Sequence, residues 1–140
     1  QHAEVHRFLK LLIARRLLRT TEHEQQRKSL TRLINEANKT WHGVRLNQPD
    51  WSDHSRSVAF TAEIRKEKLW LHLILNAHCE ALEFELPPPD PGNGNPWRRW
   101  IDTALKTPQD IVAWEQAPAV PGLSYRAEAR SVVALYAPTG

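Results

Sequence analysis

The sequence predicts an all-β sandwich preceded by two N-terminal helices, and three observations lead to this class. Apolar residues follow helical spacing in the first 40 positions, and no proline or glycine occurs before Gly43. After Trp41, short apolar runs with period-two alternation replace the helical pattern. Breaks rich in proline, glycine and asparagine separate these runs. Two sheets that bury one face against each other are an arrangement that such strands can form.

The first predicted helix covers residues 4–19. Its apolar positions recur at helical spacing, and further leucines widen the apolar surface, whereas basic residues crowd toward the C-terminal end, where they favour the helix dipole. The spaced apolar positions are Val5, Phe8, Leu9, Leu12 and Ile13, and the widening ones are Leu11, Leu17 and Leu18. Such a helix needs burial on more than one side, which predicts a partner domain or self-association. The alternative is that the second helix and the sandwich cover it completely.

The second predicted helix runs from about Glu24 to Asn38, and its apolar positions again keep to one face. Six strands follow. The even-numbered residues from Val58 to Ile64 share one face, whereas Thr61 and Glu63 take the other. The run Leu69–Leu75 is apolar almost throughout, which favours a central strand covered on both faces. The predicted strands are His42–Leu46, Val58–Ile64, Leu69–Leu75, Ala81–Leu86, Trp97–Asp102 and Arg130–Tyr136.

Two long connections complete the sandwich. The proline- and glycine-rich segment Pro87–Pro96 cannot lie inside a sheet, because proline removes backbone donors from the ladder. A second proline-punctuated connection spans Thr107–Gly122. We therefore divide the chain into a helical segment, residues 1–40, and a β domain, residues 41–140.

Composition and charge exclude several classes of protein. Residues 1–40 carry nine Lys and Arg against four Asp and Glu, whereas the remainder carries ten against twelve. Because most of the aromatic residues lie in the slightly acidic part, the pattern argues against nucleic-acid binding. No run approaches the roughly 18 apolar residues of a membrane helix. The single cysteine, Cys79, cannot form an internal disulfide, which is compatible with the cytoplasmic location that we expect. The chain begins at Gln1 and contains no methionine, so it is either a piece of a longer protein or one that lost its initiator.

No catalytic residue, metal ligand or cofactor is predicted. The seven histidines show no compact pairing with cysteine or carboxylate of the kind that zinc requires. Cys79 has no base placed beside it by sequence. Glu83 and Glu85 lie on the same side of one predicted strand, and a solvated face explains them best.

The order of these segments resembles the C-terminal part of the isoamylase and glycogen-debranching branch of the α-amylase superfamily. The resemblance covers nearly the whole chain, and its most telling parts are the Trp–His–Gly start at Trp41, the Asp50–Trp51 pair and the Ser- and Arg-led strand that follows; Asn76, Ala77 and His78 resemble the turn of the family's next hairpin. The segments that carry it are FLKLLIARRLLR (Phe8–Arg19), Thr40–Glu63, Leu69–Pro87, PWRRWIDTAL (Pro96–Leu105) and ARSVVALYA (Ala129–Ala137).

The resemblance implies a non-catalytic C-terminal β domain, of the kind found in α-amylases, with the last helix of the catalytic barrel attached. The implied partner is that barrel, which hydrolyses α-1,6 branches of glycogen with two carboxylates. A barrel of this type needs about 250 residues, so its catalytic groups have no counterpart in this chain. Two alternatives remain: a stand-alone module that binds α-glucan, and a protein-interaction domain whose partner contacts the basic helical segment.

Six tryptophans suggest a surface for sugar rings, whose C–H faces pack flat on exposed indoles. Trp41 and Trp51 bracket a loop rich in polar groups that includes Asp50. Trp97 and Trp100 cannot both point inward at period two, which leaves one of them for the surface. The expected glucan contacts are therefore Trp41, Asp50, Trp51 and Trp97, and the alternative is that tryptophans fill the joint between the sandwich and the barrel.

Overall fold

A computed structural model of the chain describes residues 2–22, 38–89 and 94–139. One helix, α1 (His2–Glu22), occupies the N-terminal part, as the leucine spacing predicts. The second predicted helix, Glu24–Asn38, lies outside the described residues except for Asn38, which begins a strand. No helix in the described ranges is both long and apolar enough to cross a membrane.

The described residues after α1 form seven antiparallel strands in two sheets, which confirms the β class. The larger sheet has the order β1-β2-β3-β7-β5, and the smaller pairs β4 with β6. The central position of β3 confirms the prediction for the apolar run Leu69–Leu75. The strands are β1 (Asn38–His42), β2 (Ser57–Ile64), β3 (Leu69–Asn76), β4 (Leu82–Glu85), β5 (Arg98–Asp102), β6 (Ser124–Ala127) and β7 (Ser131–Pro138).

Two strands differ from the prediction. β1 ends at His42, whereas the sequence predicted a strand from His42 to Leu46. The chain turns there because Gly43 lies against the backbone of Gln48, and this close approach ends the ladder. β6 was not predicted, because Ser124–Ala127 contains no β-branched or large aliphatic residue, whereas the equally short β4 lies in a run with Leu82, Phe84 and Leu86 at alternate positions.

The first core lies between the two sheets. Residues of β2, β3 and β7 point from the larger sheet toward β4, β6 and the segment around Trp97. The side of β2 that faces this core carries its odd-numbered residues, including Thr61. This is the less apolar of the two sides of the strand. The buried residues of this cluster are Ala59, Ile74, Phe84, Leu86, Trp97, Val120, Ala127, Val133, Leu135 and Ala137.

The opposite face of the larger sheet is covered by α1 and by the connection between β5 and β6. Phe8, Leu11 and Leu12 of α1 pack against Ile101 and its neighbours on β3 and β7. Farther along, Trp114 stacks on Tyr136, with ring centroids 3.6 Å apart and an interplanar angle of 11°. The sheet is therefore packed on both faces over much of its area.

A charged contact fixes α1 to this connection. The guanidinium of Arg7 donates to Asp110 Oδ1 at 2.8 Å and to the carbonyl oxygens of Pro108 and Ile111. The two charged side chains are 29% and 15% exposed, so the ion pair is partly shielded from solvent. Arg7 thereby ties the helix to the sheet in addition to the apolar contacts.

Candidate functional site

Two exposed tryptophans meet beside the edge strand β1. Trp41 and Trp51 make an edge-to-face contact with ring centroids 5.3 Å apart and an interplanar angle of 72°. The ring of Phe60 on β2 also contacts Trp41, with centroids 5.1 Å apart. Trp51 remains 65% exposed and Trp41 41% exposed, although both have aromatic neighbours. We call Trp41, Trp51 and Phe60 the aromatic corner.

Polar groups surround the aromatic corner. Asp50 is exposed, and its Oδ1 accepts a hydrogen bond from the backbone N–H of Ser52 at 3.0 Å. The backbone and side-chain hydrogen bonds from Ser52 lower the pKa of the Asp50 carboxyl, and the nearby His54 adds to this. Asp53 and His54 are also exposed. Exposed polar residues thus stand next to Trp51 in the loop that carries it.

The loop that carries Trp51 is fixed at its base. A Cβ added to Gly43 would lie 2.3 Å from the carbonyl oxygen of Gln48, so only glycine fits this approach. The backbone N–H of Asn47, a residue with φ of 58°, donates to Nδ1 of the buried His42 at 2.9 Å. These contacts hold the first turn of the loop against the sheet.

His42 belongs to a buried hydrogen-bonded series that links three strands. Because its Nδ1 accepts from Asn47, neutral His42 carries its proton on Nε2 and donates to Thr61 Oγ1 at 2.9 Å. The Thr61 hydroxyl then donates to Nδ1 of His72, also at 2.9 Å. This leaves the His72 proton on Nε2, which has no hydrogen-bond partner among the described residues. The His72 ring lies 5.5 Å from that of Trp97.

Burial sets the charge of both histidines. Desolvation lowers the pKa of His42, and it lowers the pKa of His72 from 6.5 to about 3, with a further contribution from the neighbouring His42. Both rings are therefore neutral near neutral pH, and the series joins β1, β2 and β3 through hydrogen bonds between neutral groups. The sequence analysis did not predict this hydrogen-bonded series. The one indication in the sequence was the position of His42 inside the Trp–His–Gly motif.

Trp97 does not belong to the aromatic corner. It is 2% exposed, lies in the core between the two sheets, and donates from Nε1 to the Pro87 carbonyl oxygen at 2.7 Å. This burial removes Trp97 from the expected glucan contacts. The argument from period two failed because the larger sheet is packed on both faces: Trp100 also packs in a core cluster, away from Trp97.

The turn between β3 and β4 depends on Asn76, the first residue of the Asn–Ala–His motif. Its buried amide nitrogen lies within 3.2 Å of the carbonyl oxygens of Glu80, Ala127 and Glu128, and its Oδ1 accepts from the His78 N–H. These contacts join the turn to the end of β6. The motif therefore has a structural role in this chain.

A second surface lies on α1 beside the residues that pack on the sheet, where three large apolar side chains project into solvent. Val5, Leu9 and Ile13 are 59%, 50% and 54% exposed, respectively. They recur every fourth residue and so form one line along the helix. We call these three residues the outer stripe.

Neither a metal-binding group nor a paired cysteine occurs among the described residues. No group of three or more His, Cys, Asp and Glu that could hold a metal ion occurs in the ranges 2–22, 38–89 and 94–139. Cys79 is exposed, and its Sγ lies 4.0 Å from Nδ1 of the adjacent His78. Glu83 is exposed and accepts from the Ser124 hydroxyl on the neighbouring strand. Exposed groups with these partners are typical of a solvated surface.

Comparison with known proteins gives one result. A family model described as "Isoamylase 1-3, C-terminal" matches residues 40–136. The match begins inside β1 and ends inside β7, so it includes residues of all seven strands and leaves α1 outside. No curated protein matches the chain.

Proposed function

Because the chain belongs to the isoamylase 1–3 C-terminal family, we propose that it is a non-catalytic domain that packs against and stabilises the barrel of a glycogen-debranching hydrolase. In this proposal the barrel hydrolyses α-1,6 branches with its own carboxylates, and residues 41–140 form a β-sandwich beside it. The shared core of the two sheets supports the sandwich. The cytoplasm, where glycogen is stored, is the proposed location.

The observation that carries this proposal is the width of the apolar face of α1. Phe8, Leu11 and Leu12 pack on the larger sheet. Beside them on the same helix, the outer stripe leaves Val5 and Leu9 at least half exposed. An apolar face wider than one neighbour covers is stable where a second partner covers the rest. We assign the packed residues to the contact with the β domain and the outer stripe to the barrel, with α1 as the last helix of that barrel.

The anchoring of α1 supports the same division of roles. Arg7 holds the helix to the connection between β5 and β6 through Asp110 and two carbonyl oxygens. Because these bonds hold α1 in one orientation, the outer stripe is presented in a fixed position to the domain that covers it. The β domain then stabilises the barrel by fixing the orientation of its last helix.

The first test reads the coding sequence upstream of the codon for Gln1. The proposal expects an open frame that continues into a (β/α) barrel with a carboxylate nucleophile and a carboxylic general acid. A start codon immediately before Gln1 would refute it, and the function would then belong to a stand-alone glucan-binding or protein-interaction domain.

The second test measures catalysis by the chain itself. Incubation of the 140-residue chain with glycogen should release no reducing ends above a buffer control. Release that rises with protein concentration, and that survives a further purification step, would contradict the non-catalytic part of the proposal.

A further inference from the structure

We propose that His42 is a pH-sensitive switch: protonation of its ring releases the turn of residues 43–48 and the edge strand β1, while the central strands of the sandwich stay paired. His42 is the last residue of β1, and the turn follows it directly. The proposal concerns the β domain alone, so it is independent of the role proposed beside a barrel. It adds a local conformational change to a domain whose proposed role is structural.

The proton positions on His42 are the first argument. Its Nδ1 accepts from the Asn47 N–H at 2.9 Å, and its Nε2 donates to Thr61 Oγ1 at 2.9 Å. Nδ1 is therefore the only ring atom that can take a further proton. The added proton would point at the Asn47 N–H, and two donors cannot form a hydrogen bond with each other. A charged His42 ring therefore cannot keep the Asn47 N–H as a partner.

The attachment of the turn to the two sheets is the second argument. On the larger sheet its hydrogen-bond partner is His42. On the smaller sheet its partner is Glu85, whose N–H donates to the Val44 carbonyl oxygen at 2.9 Å and whose Oε2 accepts from the Leu46 N–H at 3.1 Å. Asn47 has a φ of 58°, a left-handed conformation that costs free energy unless the surrounding contacts hold it. Loss of the contact with His42 therefore loosens the turn from the larger sheet.

The position of β1 is the third argument, because this strand can open without the others. It lies at the edge of the larger sheet and pairs with β2 alone among the described strands. Of its five residues, only the terminal His42 is buried. Strands with few buried contacts open at a lower free-energy cost than central ones. Opening of β1 and the turn would bring the His42 ring into water, whereas His72 on the central strand β3 would stay beside Trp97.

The charged groups around His42 do not stabilise its protonated form. Burial lowers its pKa, and no carboxylate is hydrogen-bonded to the ring among the described residues. Glu85 accepts from the turn, Glu63 pairs with Arg65, and Asp102 accepts from Tyr125. The titratable and charged side chains on the strands packed around the ring are Glu63 on β2, His72 on β3, Glu85 on β4, Arg99 and Asp102 on β5 and Tyr125 on β6. A proton on His42 is therefore favoured by exposure of the ring to water.

The direction of the switch follows from the two states of the ring. The open state has the ordinary pKa of 6.5, and the closed state has a lower pKa. The open state therefore binds more protons below pH 6.5, so closure is fully favoured above that pH and is lost as the pH falls. Between about pH 7 and about pH 5, the population of the open state should rise by up to about 25-fold. His72, with a pKa of about 3, stays neutral over this interval while the fold is intact.

The test is native-state hydrogen exchange of the full chain, measured by NMR at about pH 7 and about pH 5 in low concentrations of urea. The protection factors of Leu46 and Asn47 should fall at least about threefold and up to about 25-fold at the lower pH. Exchange at these two amides should depend weakly on urea, because a local opening exposes little surface, whereas exchange in β3 and β7 should depend strongly on it. In wild type, the His42 ring and the Asn47 amide should titrate over the same pH range.

Three substitutions identify the titrating group. His42→Asn places an oxygen acceptor near the position of Nδ1 but cannot take a proton, so the fall in protection should shrink to less than about twofold. His72→Gln and Glu85→Gln are the matched controls, because each keeps an acceptor and removes a titrating group. Both controls should retain the wild-type fall in protection at Leu46 and Asn47.

Four results would overturn the proposal. The first is an unchanged protection factor in wild type, and the second is an undiminished fall in a folded His42→Asn variant. The third is loss of the fall in either control. The fourth is a urea dependence at Leu46 and Asn47 equal to that in β7, which would show that the amides exchange through global unfolding. If His42→Asn does not fold, the wild-type titration decides: different titration midpoints for the His42 ring and the Asn47 amide would refute the switch.

Discussion

The buried histidine series makes the stability of the chain depend on pH in a direction that can be worked out. His72 has a pKa of about 3 in the folded state because burial disfavours its charged form, against 6.5 when unfolded. The folded-state pKa is thus the lower one, so the unfolded state binds more protons throughout the interval between these values. The stabilisation is fully present above pH 6.5 and is lost as the pH falls toward 3.

The size of the effect follows from linkage. Each pH unit below the unfolded pKa costs about 1.4 kcal/mol as long as the folded state stays unprotonated. Lowering the pH from about 7 to about 4.5 should therefore remove about 3 kcal/mol from the free energy of unfolding through His72 alone. Loss of this size is a large fraction of the stability of an ordinary domain.

Urea unfolding followed by tryptophan fluorescence at both pH values measures this loss. Other titrating groups also contribute, so the comparison is with His72→Gln, whose amide can still accept from Thr61 but does not titrate. The difference between the two pH values should be smaller in His72→Gln by about 3 kcal/mol. His2→Gln, at an exposed position of α1, is the control and should keep the wild-type difference. An unchanged difference in His72→Gln would refute the reasoning.

Three further predictions concern the loop base, the anchor of α1 and its outer stripe. Gly43→Ala should lower the free energy of unfolding by about 1–3 kcal/mol, because its Cβ would lie 2.3 Å from the Gln48 oxygen; an unchanged urea midpoint would contradict this. Arg7→Met should speed amide hydrogen exchange in α1, because it removes the hydrogen bonds between the helix and the connection after β5. Lys10→Met, at an exposed position of the same helix, is the control and should leave the exchange rate unchanged. The isolated chain should self-associate as its concentration rises, because the outer stripe is uncovered, and light scattering measures this association. Leu9→Glu should abolish the association, and a wild-type chain that stays monomeric at high concentration would contradict the prediction.

Periodicity predicted most of the fold. The helix predicted over residues 4–19 corresponds to α1, and the five strands predicted from Val58 onward correspond to five observed strands. Their apolar residues recur regularly enough to indicate the type of element. The position of β1 could not be predicted, because it depends on pairing with β2 and on the approach of Gly43 to Gln48 across a turn. β6 has only one large apolar side chain, Tyr125, in its four residues, and it forms a strand by pairing with β4.

The candidate site was predictable only in part. Trp41, Asp50 and Trp51 stood out by residue type, and the structure places them together at an exposed corner. Trp97 was wrongly placed at the surface, because the sequence does not show that both faces of the larger sheet are covered. Thr61 was assigned by alternation to the polar side of β2, and only the positions of two histidines on neighbouring strands explain its burial.

The most direct test of the proposed structural role compares two charge substitutions in the full-length debranching hydrolase that the proposal expects to include this chain. Leu9 and Leu123 are equally exposed here, at 50% and 53%, but only Leu9 lies on the outer stripe. The measurement is the half-life of branch-hydrolysing activity during heating. The account predicts that Leu9→Glu shortens this half-life severalfold, because it puts a charge into the joint with the barrel, and that Leu123→Glu leaves it unchanged. Equal half-lives for wild type and Leu9→Glu would contradict the claim that α1 joins the two domains.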